Sequence, residues 1–129
     1  MLDLHAHSAP KARYVADEPV EVATLDDLVQ PELRDPAVVF TKADVQGYEL
    51  QVLAGGEATL ARSTLVQLEM SLLPLYETAP SYRDVLDFMA RHGFCLVGIE
   101  PGFASPTGAL LQADGLFATV VATRSLQEF

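Results

Sequence analysis

The fold of this chain is decided by the stretch Ala37-Val-Val-Phe-Thr-Lys-Ala-Asp-Val-Gln-Gly-Tyr-Glu-Leu50. It opens with a short continuous apolar run, which is typical of a strand buried on both faces, as in parallel sheets. Polar side chains follow abruptly, and after Gly47 the apolar residues recur at helical spacing. A strand that leads into a helix in this way is the repeating unit of an α/β sheet.

Similar elements are predicted on both sides of this stretch. Upstream, Thr24 with Asp27 three residues later predicts the start of a short helix. A further helix starts at Ser81, where Asp84 completes a capping box, and ends at Gly93. The apolar stripe of the helix after Gly47 comprises Leu50, Leu53, Ala54, Ala58 and Ala61, and the other predicted strands cover residues 65–70, 94–99 and 116–122.

The order of these elements predicts one α/β domain with a mainly parallel sheet. Right-handed crossovers place both crossover helices on one face of that sheet. The last two strands are joined without a helix, so we predict that they are antiparallel neighbours, because a parallel connection needs about a dozen residues or more. All 129 residues are assigned to this one domain, with a loop or frayed start over 1–19 and the core over 20–122.

Composition excludes several classes of function. The chain carries 18 acidic and 8 basic side chains, and without a basic cluster it is not expected to bind nucleic acid. No apolar run approaches the roughly 18 residues that cross a membrane, and no secretory signal is visible, so we expect a cytoplasmic protein. Cys95 is predicted to be a buried strand residue, and His5 with His7 is predicted to be a solvated terminal pair and not a metal site.

Carboxylates stand at the ends of two predicted strands. Asp44 follows the first strand and Glu69 ends the next one. Ligands of open α/β sheets bind outside the carboxyl ends of the strands, and neighbouring strands lie about 4.8 Å apart. We therefore expect Asp44 and Glu69 to face one crevice, where a carboxylate can accept a proton or hold a divalent metal.

Each residue of this region also has a structural alternative. Asp44 is placed either to act chemically or to cap the following helix, and Glu49 is either a site residue or a first-turn acid favoured by the helix dipole. Lys42 is placed to pair with Asp44, and Gly47 permits close approach of the backbone to a ligand. Two roles are open for the tyrosines Tyr48, Tyr76 and Tyr82: they could line an acceptor pocket, or they could take part in ordinary aromatic packing.

Several spaced motifs resemble the FkbM family of methyltransferases. They are the segments Thr24-Leu-Asp-Asp-Leu28 and Lys42-Ala-Asp-Val-Gln-Gly-Tyr-Glu-Leu-Gln-Val-Leu-Ala-Gly-Gly56, and later Leu65 to Tyr76, Tyr82 to Phe94 and Asp114-Gly-Leu-Phe117. The resemblance runs from about Val20 to Ala122. It implies the carboxyl-terminal half of a Rossmann-like class I methyltransferase fold, a sheet that ends in an antiparallel hairpin.

The resemblance also implies a reaction and a set of roles. It implies S-adenosylmethionine as cofactor and O-methylation of a sugar or another small-molecule hydroxyl, with no metal assigned. The catalytic residues would be Asp44, Glu49 and Glu69, the cofactor-binding residues Asp44 and Gly47, and the substrate-binding residues Lys42, Tyr48 and Tyr76.

The sequence departs from the family pattern at two points. Ala43 stands where the family has a bulkier apolar residue, and no Gly-x-Gly motif occurs in these 129 residues. We therefore expect the first strands and their glycine-rich loop to be missing, the activity to require them, and one sheet edge to lie open for self-association. The alternative is a non-catalytic binding or interaction module. A hydrolase that uses Asp44 and Glu69 ranks lowest, because no nucleophile arrangement accompanies them.

Overall fold

A computed structural model of the chain describes residues 15–35, 38–73 and 79–120. Within these ranges, helices and strands alternate along most of the chain, as the sequence predicts. The elements are α1 (Leu25–Val29), β1 (Val39–Ala43), α2 (Glu49–Ala54), α3 (Glu57–Arg62), β2 (Ser63–Ser71), α4 (Tyr82–Arg91), β3 (Phe94–Pro101) and β4 (Gln112–Thr119).

The four strands form one mixed sheet in the order β1-β2-β4-β3. β1 and β2 are parallel, whereas β4 is antiparallel to both β2 and β3. The predicted antiparallel pairing of the last two strands is confirmed. The sheet is less parallel than predicted, because β4 inserts between β2 and β3 and so replaces a parallel ladder with two antiparallel ones.

The helices that follow β1 and β2 pack on one face of the sheet, as right-handed crossovers require. Leu53 of α2, Leu60 of α3 and Met89 of α4 are each at most 1% exposed. They share a core with inward-facing strand residues, namely Ala43, Val66, Leu68, Met70, Phe94 and Phe117. Among the described residues there is no helix with the length and apolar character of a membrane span.

The predicted single helix after Gly47 is broken into α2 and α3 at Gly55-Gly56. The break coincides with close packing, because a Cβ added at Gly56 would lie 2.6 Å from Cδ2 of Leu25 in α1. It also shifts the buried stripe. Leu53 and Leu60 are buried, whereas the predicted Ala54, Ala58 and Ala61 are exposed.

Replacing Gly56 with alanine is therefore expected to destabilise the fold by about 1–3 kcal/mol, the usual cost of overpacking. Gly98→Ala is the matched control, because its added Cβ would meet Leu116 Cβ at an ordinary 3.6 Å. Urea denaturation of the two variants measures the difference. Equal stability of Gly56→Ala and the unsubstituted chain would contradict the packing of α1 on the helix break.

The outer face of β1 is exposed, although the apolar run predicted burial on both faces. Thr41 and Ala43 point into the core, whereas Phe40 is 54% exposed. Cys95 of β3 is also exposed, so its predicted burial is wrong. Both errors have one cause: within the described residues, helices cover only one side of the sheet.

Candidate functional site

A tight loop connects the carboxyl end of β1 to α2 and begins at Asp44. The loop turns through two left-handed residues, Gln46 (φ 53°) and Gly47 (φ 102°). Such backbone is uncommon for a residue other than glycine. The helix begins only at Glu49, and its cap residue, Tyr48, makes no side-chain capping bond. Asp44 is therefore not the helix cap, so that alternative is wrong and Asp44 remains an exposed carboxylate at the strand end.

Glu49 holds this loop in place. Its side chain is buried, at 2% exposure. Its carboxylate accepts a hydrogen bond from the Val45 N–H at 3.1 Å and from the Gly47 N–H at 3.0 and 3.1 Å to the two oxygens. Gly47 is itself buried, and its N–H is used internally by Glu49. The catalytic role of Glu49 and the cofactor-binding role of Gly47 stay predictions.

Glu69 on β2 lies at the centre of a group of acidic side chains. Burial and, after it, the negative charges of Asp44, Glu49 and Asp114 together raise its pKa from 4.5 to about 7, while Lys42 opposes the change. The strand register supports the expected proximity of Asp44 and Glu69, because Ala43 pairs with Leu68 and Asp44 follows at the level of Glu69. A carboxyl group with a pKa near neutrality can both accept and release a proton at physiological pH.

Asp114 is the member of this group to which sequence reasoning gave no role. It stands directly opposite Glu69 in the β2–β4 ladder. Its Oδ2 accepts a hydrogen bond from Gln67 Nε2 at 2.6 Å and lies 3.8 Å from Lys42 Nζ. Lys42 thus pairs with Asp114 and not with Asp44 as predicted. Only the insertion of β4 beside β2 brings Asp114 here, and the sequence left that strand order open.

The three tyrosines occupy different environments. Tyr48 is 45% exposed and borders an apolar groove of about 510 Å³ between α1, α2 and the residues before α1. Tyr82 packs against the core from α4. Tyr76 lies outside the described residues, as do His5 and His7. The acceptor-binding roles of Lys42, Tyr48 and Tyr76 stay predictions.

The Thr-Leu-Asp-Asp segment has a structural role away from these carboxylates. Thr24 caps α1 by accepting a hydrogen bond from the Asp27 N–H at 3.1 Å. Asp26 reaches across to the start of α3, where it accepts hydrogen bonds from the Ala58 and Thr59 N–H groups at 2.9 and 2.8 Å. A third bond, from Thr59 Oγ1, is the main reason why the pKa of Asp26 is lowered. These hydrogen bonds therefore hold α1 against the start of α3.

The acidic group does not have the arrangement of a metal site. Across residues 15–35, 38–73 and 79–120, no three His, Cys, Asp or Glu side chains are grouped so as to hold a metal ion. What the arrangement offers is negative charge and a proton acceptor at the ends of β1 and β2.

A mixed α/β sheet with carboxylates at these strand ends is consistent with a methyltransferase-like α/β domain. The family model described as the methyltransferase FkbM domain matches residues 3–96. The chain therefore belongs to the FkbM methyltransferase domain family. The match includes the motifs around Thr24, Asp44 and Glu69 and ends before Asp114. No curated protein and no solved structure matches the chain.

Proposed function

We propose that this chain is the part of an S-adenosylmethionine-dependent methyltransferase that binds the methyl acceptor. The acceptor is a hydroxyl group of a sugar or another small molecule. The observation that supports the proposal is the register of β1 and β2: Ala43 pairs with Leu68, so Asp44 follows at the level of Glu69, within a chain of a methyltransferase family. In open α/β sheets the carboxyl ends of parallel strands are where ligands bind.

The residues fit one part of the cofactor. S-adenosylmethionine, when bound, supplies a methyl group on a positively charged sulfonium. Asp44 and Glu69 offer the negative charge that suits such a group, and Asp44 is exposed where it can make the contact. The adenosine part finds no Gly-x-Gly cradle in these 129 residues. Binding of the whole cofactor therefore requires further residues, as a Rossmann-like domain with an additional first half would provide.

Glu69 is the residue that we propose to take the hydroxyl proton. Its pKa of about 7 leaves a large fraction ionised at neutral pH and keeps that carboxylate basic enough to accept a proton. Lys42 lies near Asp114 and limits the accumulated negative charge. Glu49 positions the loop that carries Asp44 and Gly47. We place Lys42, Tyr48 and Tyr76 around the acceptor, and a cytoplasmic location stays a prediction from sequence.

Two linked measurements test this function. Calorimetric titration of S-adenosylmethionine into the chain alone is expected to show no saturable heat. A fusion with the glycine-loop half of an FkbM domain is expected to bind the cofactor and to transfer a tritiated methyl group to hydroxyl acceptors. In that fusion Glu69→Gln should lower transfer by about 100-fold or more, the contribution of a general base, while cofactor binding persists.

Asp87→Asn on α4 is the control in the same fusion, because Asp87 is exposed on the helical side of the sheet. Unchanged transfer by Glu69→Gln would contradict its role as proton acceptor. Methyl transfer by the chain alone would contradict the need for a second half.

The second candidate function is a non-catalytic interaction module. It is favoured by the edge position of β1, which pairs only with β2 among the described strands, and by Val38 beside it at 89% exposure. Such an edge can pair with another chain, including a second copy. A fusion that neither binds the cofactor nor transfers a methyl group would favour this candidate.

A further inference from the structure

The sheet face opposite the helices carries three rows of side chains that run across the strands. Strand register defines them, because directly paired residues point to the same face. The apolar row is Phe40, Leu65, Ala118 and Cys95; the middle row is Lys42, Gln67, Leu116 and Gly98; the acidic row is Glu69, Asp114 and Glu100. We call this surface the open face.

Most of the apolar row is exposed. Phe40 is 54% exposed, its partner Leu65 is 37% exposed and Cys95 is exposed, whereas Ala118, between Leu65 and Cys95, is 2% exposed. Every crossover helix among the described residues packs on the other side of the sheet. All-parallel sheets have both faces covered, whereas antiparallel sheets commonly leave one face in water. The parallel pair β1–β2, which carries Phe40 and Leu65, is thus the part of this mixed sheet where a cover is expected. The open face is thus an apolar surface that lacks its cover within the described residues.

The acidic row has too little compensating charge. Asp114 lies directly between Glu69 and Glu100 in the two antiparallel ladders. Like charges opposite one another destabilise a sheet. The one salt bridge that the described residues make to this row comes from Lys42, whose Nζ is 3.8 Å from Asp114. A shallow pocket of about 210 Å³ lies beside Glu100 and Asp114, with Leu116 in its wall.

We propose that the open face is the docking surface for an amphipathic α-helix that carries lysine or arginine at one end of its apolar stripe. The apolar stripe packs on Phe40, Leu65 and Leu116, and the basic residues meet Asp114 and Glu100. A second copy of the chain is a poor occupant, because it would bring an identical acidic row and a net charge of −10. The docked helix would lie over Lys42 and beside Glu69, so it would compete with an acceptor bound there, but its binding does not require the methyltransferase reaction.

The dimensions of the face specify the spacing in this helix. The apolar and acidic rows are four strand residues apart, Leu65 to Glu69, which at about 3.3 Å per residue is roughly 13 Å. At 1.5 Å per helical residue this distance spans about nine residues, so the basic side chains should stand about seven, eight or eleven residues from the apolar anchor, the spacings that keep both on the same side of the helix. One helix about 10 Å wide covers most of a four-stranded sheet, which is roughly 14 Å across.

Three synthetic, fluorescently labelled peptides of eighteen residues test the proposal with the full chain. The first has a leucine stripe at helical spacing and lysines in one half; the second has glutamates in place of these lysines; the third scrambles the first. We expect saturable anisotropy changes with the first peptide alone. Equal binding of the scrambled peptide would mean that net charge alone, and not the amphipathic pattern, causes the binding. If the first peptide did not bind, the open face would not accept such a helix. Either result overturns the proposal.

Matched variants locate the binding. Removing two charges on the open face with Glu100→Gln and Asp114→Asn should weaken binding by about tenfold. Removing two exposed charges on the helical side with Glu57→Gln and Asp87→Asn should leave it within about twofold. Leu65→Ser should also abolish binding while the far-ultraviolet circular dichroism is retained. An equal effect of the two charge variants would contradict docking on this face.

Discussion

Replacing Glu49 with alanine is expected to lower the free energy of unfolding by about 3–4 kcal/mol. The buried carboxylate accepts hydrogen bonds from two backbone N–H groups, at Val45 and Gly47, that would lose their partner. A hydrogen bond to a charged group contributes about 1.5–3 kcal/mol, and an orphaned buried donor adds its desolvation cost. Urea denaturation, followed by circular dichroism, measures the loss.

Glu57→Ala is the matched control for this prediction. Glu57 is also the first residue of a helix, α3, but its side chain is exposed. Its replacement should cost well under 1 kcal/mol, the usual range for an exposed position. If Glu49→Ala were no more destabilising than Glu57→Ala, Glu49 would not hold the loop. Its predicted catalytic role would then be the better explanation of its burial.

Replacing Glu69 with glutamine is expected to stabilise the chain at pH 8 and to have little effect at pH 5. The pKa of Glu69 is raised from 4.5 to about 7 in the folded chain. Its contribution to stability is therefore fully present below pH 4.5 and is lost as the pH rises through about 7. Because the half-buried carboxylate is partly screened by water, we expect a gain of only about 1 kcal/mol at pH 8.

Thermal unfolding at the two pH values checks this sign. Glutamine keeps the shape of the side chain and removes the ionisation, so its benefit should grow between pH 5 and pH 8. Glu57→Gln provides the comparison, since it changes the same functional group on an exposed helical site. A stability gain of Glu69→Gln that is equal at both pH values would mean that ionisation of Glu69 is not its cause.

Local patterns in the sequence predicted the elements well. The helix caps at Thr24 and Ser81 are present because short-range hydrogen bonds decide them. The pairing of β1 with β2 follows from their connection through helices. Burial was predicted less well, because Phe40 and Cys95 are exposed. An apolar run shows that a residue can be buried, but it does not show that a second layer covers it.

Only part of the candidate site was predicted, because local patterns do not specify which distant segments pack together. Asp44 and Glu69 follow from the rule that ligands bind at the carboxyl ends of strands. Asp114 lies 45 residues beyond Glu69 and reaches it only because β4 inserts next to β2. Strand order depends on packing between distant segments, which no local pattern specifies. The hydrogen bonds by which Glu49 holds the loop were not predicted, because they depend on the left-handed turn at Gln46 and Gly47.

Burial, together with the negative charges of Asp44, Glu49 and Asp114, makes Glu69 a proton acceptor near neutral pH. A ¹³C nuclear magnetic resonance titration of the Glu69 carboxyl, assigned by its loss in Glu69→Gln, measures this directly. We expect a midpoint of about 7, and a lower midpoint in Asp44→Asn. A midpoint near the ordinary value of 4.5, unchanged by Asp44→Asn, would contradict this role of Glu69.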